Sequence, residues 1–315
     1  MAVYTKINKK DVFLITKKFG LEKIINYRGI KNGIENTNYL FKTKNKKYIL
    51  TIFEKRVHKR DIPFFMKLMD KLNKKKIKCP KPLKNINGNY CIQIKNKPAC
   101  VVTFVKGKDK KNLSIKNCYE VGKNIAKLHI ASKKIKLSRK NSMSVNSWPK
   151  LLNKIHNKYK NIMNKNLKEI TKKWPKNLPS GIIHGDLFID NIFFKKNKFY
   201  GYIDFYFSSN DFLMYEIAIC INSLCFDKNN KKFFFNKKKS TNLLKGYMSL
   251  VKFSKKEKNS LNILCRGAAF RYLLTRTYDY LNTPKNAIIK KKDPNEYIQK
   301  LQIHNNFSNF RDYYN

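Results

Sequence analysis

Side chains able to do chemistry concentrate in one stretch, Gly181-Ile-Ile-His184-Gly185-Asp186-Leu-Phe-Ile-Asp190-Asn191-Ile-Phe-Phe, and in Tyr202-Ile203-Asp204-Phe205 just after it. Two carboxylates and an amide stand at the ends of apolar runs that read as strands. Their side chains can point into a cleft while their backbones stay anchored. Alone, a strand-end Asp is most often a turn or cap residue. Together the three offer what phosphoryl transfer requires: a carboxylate to orient an acceptor hydroxyl and take its proton, and oxygen ligands for Mg2+, beside cations that offset phosphate charge. Asp186 can supply the first, and Asn191 with Asp204 the second.

The elements that must position these groups change character near residue 106. Before it, residues 24–30, 37–43 and 47–53 read as strands, with turns at Lys31-Asn32-Gly33 and Lys44-Asn45-Lys46. A helix is predicted over 61–75 with Pro63 in its first turn, and an amphipathic helix at the N-terminus ends at Gly20. Asn87-Gly88 predicts a two-residue hairpin turn between 83–86 and 90–94, and a last strand covers 99–105. Beyond Lys106-Gly107-Lys108 helices dominate, over 115–132, 147–163, 167–174, 211–226, 240–252 and 255–281. They are interrupted by short strands at 181–184, 191–194 and 199–205. The expected architecture is α+β, with a β-rich N-terminal lobe (1–105) and a mainly helical C-terminal lobe (106–315). A cleft between two lobes suits a nucleotide.

Composition bounds the function class. With 42% hydrophobic and 13% aromatic residues in 315, the chain can bury a large core. A formal charge of +50 would ordinarily point to nucleic acid. Lys and Arg together number 70, however, only eight of them arginine, and the lysines run through every stretch. Asn, Ile, Phe and Tyr are also abundant, which is the signature of A- and T-rich codons and predicts solvated faces, not a polynucleotide groove. Seven cysteines lie scattered in apolar surroundings without a CxxC pair, as reduced core residues do. The N-terminal residues lack a signal-peptide pattern, and the longest apolar stretch, 212–226, is too short to cross a bilayer. A cytosolic location is expected, with no membrane partner.

His-Gly-Asp, four residues, then Asn, with an Ile-Asp-Phe strand end 18 residues after the first Asp, resembles the catalytic and metal-binding motifs of the aminoglycoside-phosphotransferase-like kinases. The resemblance implies a two-lobed protein-kinase-like fold and ATP with Mg2+ as cofactors. Asp186 would be the base, Asn191 and Asp204 the metal ligands, and His184 the residue that shapes the loop. Gly29-Ile-Lys-Asn-Gly33-Ile-Glu-Asn36-Thr-Asn38 lies between two strands like the nucleotide-positioning loop of that group, where glycine lets backbone amides approach phosphate. Thr103 and Val105, at the end of the last N-terminal strand, would present backbone groups to adenine. Many of these kinases carry a phosphate-pairing lysine on the third strand, where this chain has Thr51. Lys55 or Arg56 can serve instead.

Segments outside the loop resemble homoserine kinases specifically: Gly33-Ile-Glu-Asn-Thr-Asn-Tyr39, Tyr48-Ile-Leu-Thr-Ile-Phe-Glu-Lys-Arg-Val57, Asp61-Ile-Pro-Phe-Phe65, Ile203-Asp-Phe-Tyr-Phe207, Cys265–Arg276 and Lys292-Asp-Pro-Asn-Glu-Tyr297. They run in order along nearly the whole chain. One departure is Tyr215-Glu216, where such proteins usually carry Tyr-Asp. The implied reaction is ATP plus L-homoserine giving O-phospho-L-homoserine, a step toward threonine. Three of the eight arginines fall within 266–276. In a chain that otherwise uses lysine, they mark sites needing a planar fork, either a carboxylate clamp or a buried salt bridge. On a helix Arg266 and Arg276 stand about 80° apart and share a broad face, while Arg271 points elsewhere. Candidates are therefore Arg266 or Arg276 for the substrate carboxylate and Asp211 or Glu216 for its ammonium. A choline-type substrate would use an aromatic cage around Tyr206. An aminoglycoside would need an acid-rich mouth that 20 acidic residues against 70 basic ones provide poorly. Methylthioribose completes the small-alcohol alternatives, and a basic nucleic-acid-binding protein is the alternative from another class. The oligomeric state is left open.

Overall fold

The structure is a computed structural model that describes residues 4–30, 36–54, 57–156, 159–282 and 292–315. The chain divides into two units, one of residues 1–106 with 201–206, the other of 107–200 with 207–315.

In the first unit, helix α1 (Lys9–Phe19) starts on a reciprocal cap. The Asn8 side chain accepts from the Asp11 amide while the Asp11 carboxylate accepts from that of Asn8. It ends at Gly20, whose φ of +56° favours glycine. Strands β1 (Asn26–Gly29), β2 (Thr37–Lys42) and β3 (Lys47–Ile52) precede helix α2 (Ile62–Lys74), and β4 (Cys91–Ile94) and β5 (Lys97–Thr103) follow it. They form one antiparallel sheet in the order β1-β2-β3-β5-β4. Alternation sends Tyr39, Phe41, Leu50, Ile52, Ile92 and Val101 into a core with Val12, Ile15 and Phe19 of α1. The intervening positions present Asn38, Thr51 and Cys100 on the other face.

One predicted hairpin differs. Asn85 and Asn89 do close a turn around Gly88, but Leu83 donates to Val101 and Ile86 is exposed, so 83–86 does not pair with 90–94. Strand β4 pairs instead with β5 through Lys95-Asn96, both at positive φ (+50° and +62°). That is the mirror-image turn whose twist suits two strands, and here it is built without glycine.

The second unit contains α3 (Ile115–Lys133), α4 (Trp148–Leu152), α5 (Lys160–Lys173), β6 (Ser180–Ile183), β7 (Ile192–Lys195), β8 (Lys198–Tyr202, whose last residues pass into the first unit) and β9 (Ser209–Phe212). It continues with α6 (Leu213–Leu224), β10 (Phe226–Asn229), β11 (Lys232–Phe235), α7 (Lys237–Met248), α8 (Lys255–Asn282) and α9 (Asn295–Asn305). The predicted helix 147–163 is only α4 and the start of α5. The first residues of predicted helix 211–226 are the end of β9, drawn into strand by pairing of Asp211 with Gly181 of β6. Helices α3 and α7 cross at glycines: a Cβ on Gly122 would come 1.9 Å from the Leu243 carbonyl oxygen, and one on Gly246 2.0 Å from that of Tyr119. Among the described residues no helix is long and apolar enough to cross a membrane.

Candidate active site

Strand β6 delivers its buried Ile182 and Ile183 into the core and then releases His184-Gly185-Asp186 as a loop. Gly185 has φ +78°, and a Cβ there would come 2.8 Å from the Phe207 carbonyl oxygen, so both conformation and space demand glycine. The loop's polar backbone is held from three sides. The fully buried Glu216 of α6 accepts from the amides of His184 and, at 3.1 Å, Gly185. Ser208 donates to the His184 carbonyl at 3.3 Å, and Arg271 of α8 donates to the Gly185 carbonyl at 2.8 Å.

These anchors fix the carboxylate that follows. Asn191 donates its amide nitrogen to the Asp186 carbonyl at 2.8 Å and to Oδ2 at 3.3 Å, while the Tyr272 hydroxyl donates to Oδ1 at 3.2 Å. Arg271 donates in turn to the Tyr272 hydroxyl at 2.9 Å, its guanidinium 4.5 Å from that ring's centroid. Desolvation lifts the Asp186 carboxyl above its usual range, and Arg271 works against the rise. Burial likewise pushes Glu216 up to about 7, opposed by the amides of His184 and Gly185. Asp186 is thus a desolvated, oriented carboxylate, as a general base requires.

In the first unit, Thr51 donates to Asn38 Oδ1 at 2.8 Å and accepts from the Tyr206 hydroxyl at 3.3 Å. The Tyr206 ring lies edge-on to Phe53 and Phe65, with centroids 5.0 and 5.9 Å away. Asn36 is buried and accepts from the Glu54 amide at 3.4 Å. Thr103 accepts from the Lys81 amide at 2.9 Å, and Val105 is buried. Asp204 is exposed at φ +62°, a left-handed conformation that non-glycine residues hold mainly at turns and functional sites. Gly33, Lys55 and Arg56 lie outside the described residues.

A phosphotransferase enzyme family model matches residues 26–231. The homoserine kinase of Agrobacterium fabrum is 39% identical over 321 residues, covering 99% of this chain and 98% of that one. That of Sinorhizobium fredii is 40% identical over 311 residues, covering 96% and 94%. The chain belongs to the homoserine kinase family. It is an ATP-dependent phosphotransferase. An amicoumacin kinase solved with AMP-PNP, Ca2+ and Ami superposes with a TM-score of 0.77 at 13% identity, covering 97% of each chain. That likeness carries the fold: the two-lobed, protein-kinase-like α+β architecture.

Within this homoserine kinase family member, His184, Asp186, Asn191 and Glu216 come together around one loop. Asp211 stands opposite Gly181 of β6, accepting from the Asn141 amide at 2.6 Å and from the Phe212 amide. Both Glu216 oxygens serve backbone amides, so this residue braces the loop. Arg266 is buried and donates to Glu169 at 2.6 Å. Arg276 donates to Glu296 at 2.5 Å and lies 4.4 Å over the Tyr297 ring, which packs 5.3 Å from Tyr272. Sequence reasoning missed Arg271 and Tyr272 as supports of Asp186. Arg271 was visible as one of the retained arginines, and its direction away from the other two is the direction of the loop. Nothing in the sequence singles out Tyr272.

Proposed function

We propose that the protein transfers the terminal phosphoryl group of ATP to the side-chain hydroxyl of L-homoserine, giving ADP and O-phospho-L-homoserine. The observation that carries this reading is likeness to homoserine kinases over almost the whole chain, with an oriented, desolvated Asp186 in the family's catalytic motif. Asp186 takes the hydroxyl proton as the oxygen attacks, and His184 keeps the loop in shape. Mg2+, when bound, offsets phosphate charge. The residues suit it: the Asn191 amide nitrogen is spent on Asp186, which leaves the amide oxygen as ligand atom, and Asp204 offers an exposed carboxylate.

On the nucleotide side, Asn36 and, within β2, Asn38 meet the phosphates, Thr51 adds a neutral contact, and Thr103 with Val105 borders the adenine. For the substrate, Arg276 is the better carboxylate partner. It sits one aromatic layer behind Tyr272, and its present partner Glu296 also holds Lys300, so Glu296 stays paired if a substrate carboxylate displaces it. Arg266 is tied to Glu169. Asp211 takes the ammonium, and Tyr206 borders the site. The lysines form solvated faces with no specific nucleic-acid role, and the reaction draws on the cytosolic ATP pool.

The test is ADP release with homoserine, choline, methylthioribose and an aminoglycoside side by side. Homoserine should give the highest kcat/KM. Choline or an aminoglycoside above homoserine would overturn the substrate, while silence on all four would overturn the activity.

A further inference from the structure

Four neighbouring strands of the first unit's sheet place one residue each in a single register row: Asn38 opposite Thr51, Thr51 opposite Cys100, and Cys100 opposite Cys91. The row ends in two thiols whose sulfurs stand 3.3 Å apart. Directly opposed residues of antiparallel strands have Cα atoms about 4.5–5.5 Å apart. That falls within the range of about 4.4–6.8 Å that a disulfide spans. Closing the bond needs the sulfurs to approach to about 2.05 Å, a side-chain adjustment that leaves the strand register in place.

The two thiols differ in access. Cys100 is fully buried. Cys91 is half-buried and lines a surface pocket of about 350 Å3 with Lys18, Lys59, Ile62, Pro63 and Asn85. The Cys100 thiol donates to the Cys91 sulfur, and that hydrogen bond, with help from Lys59, holds Cys91 below the ordinary thiol range against the effect of burial. Burial pushes the thiols of Cys79, Cys118, Cys220, Cys225 and Cys265 the other way. A half-buried thiol held below its ordinary range beside a fully buried second thiol, under a cationic pocket, is the arrangement of an attacking and a resolving cysteine.

We propose that Cys91 and Cys100 form a thiol–disulfide exchange site that takes a low-molecular-weight, negatively charged disulfide of the glutathione disulfide type. The Cys91 thiolate attacks one sulfur of the small disulfide. A bond forms between Cys91 and that sulfur, the small disulfide's own bond breaks, and one thiolate leaves and takes a proton from water. Cys100 then attacks the Cys91 sulfur, and its proton goes to the departing small thiolate. The Cys91–Cys100 bond forms, the mixed disulfide breaks, and the second small thiol leaves. The protein dithiol is oxidised by two electrons, and one small disulfide is reduced to two thiols. Excess small thiol reverses both steps.

The experiment is peptide mapping by mass spectrometry of the folded full-length protein after timed exposure to glutathione disulfide. The wild type should become lighter by one H2, with a Cys91–Cys100 cross-link that a reducing thiol removes. Cys100→Ser should stop at a stable glutathione adduct on Cys91. Cys91→Ser should react at least about tenfold more slowly at every remaining cysteine. Cystamine, a cationic disulfide, should react several-fold more slowly than glutathione disulfide at low salt. The wild-type map needs no variant, so it decides the matter even if Cys100→Ser fails to fold. No cross-link in the wild type, or a wild-type adduct on Cys91 as lasting as that in Cys100→Ser, overturns the exchange site. Equal rates for the anionic and cationic reagents overturn the charge class of its ligand.

Discussion

The loop around Asp186 and the row around Thr51 solve different problems with opposite chemistry. The loop is held by buried ionisable groups: Glu216 holds its amides and Arg271 its carbonyl, and each would be costly to bury without those partners. The row around Thr51 is neutral, a hydroxyl between an amide and a phenol. Where a reacting oxygen must be placed, the backbone is held from several sides. On the proposed reading, Thr51 meets the nucleotide with neutral donors and shape alone.

Asp186→Asn should strike hardest, cutting kcat by roughly a hundred- to ten-thousandfold while leaving ATP affinity within a few-fold. Steady-state kinetics with nucleotide titration checks it, and near-normal turnover would remove the base from this loop. Because desolvation raises the Asp186 carboxyl, the acid limb of kcat should lie above the ordinary aspartate range.

Next comes Glu216→Gln, which turns one of the carboxylate's acceptors into a donor facing a backbone amide. Unfolding stability should drop by about 2 kcal/mol and turnover should fall with it, while Glu216→Asp should keep most of both. The pH profile sharpens this. The folded-state pKa of Glu216 is raised from 4.5 to about 7, so the folded protein favours the neutral acid. That contribution is full below 4.5 and is lost as pH rises through about 7. Denaturation midpoints across that window should show a slope that Glu216→Gln lacks.

Tyr272→Phe should lower kcat about tenfold with little change in melting temperature. The lost hydrogen bond favoured the ionised Asp186, so the acid limb should move to higher pH. A profile that does not move would reduce Tyr272 to packing.

Smaller still is Arg276→Lys, which keeps charge and loses the fork. Homoserine kcat/KM should fall about tenfold, or 1.4 kcal/mol, with less effect on an amino alcohol that lacks the carboxylate. Arg266→Lys should lower both activities and the melting temperature together, as loss of a buried brace does.

The comparison also shows which parts of the molecule the sequence made legible. His184, Asp186, Asn191 and Asp204 stood out because of their joint spacing, since any one of them at a strand end would pass for a turn or cap residue. The arginines of α8 stood out against a lysine-rich background, but a helix shows only relative direction. Arg271 and Arg276 could be ranked only once β6 and α9 were in place around them. Strands β10 and β11 and helix α9 went unread because Lys and Asn fill their exposed positions and blur the period of two or 3.6. The β4–β5 turn was hidden behind a stronger signal at Asn87-Gly88, since Lys95-Asn96 reaches positive φ without glycine.

The crossing of α3 and α7 carries a different kind of consequence, one of mutational hazard. Glycine and alanine codons differ by a single base, so the substitution that puts a Cβ against the Leu243 or Tyr119 carbonyl is always one replication error away. Most core contacts can be rescued by trimming a neighbouring side chain. Here the obstacle is main chain on both sides, which no second substitution can trim. Lineages carrying Gly122→Ala or Gly246→Ala have no nearby compensating change. In a randomised library of this protein, the two positions should return glycine far more uniformly than residues that line the active site.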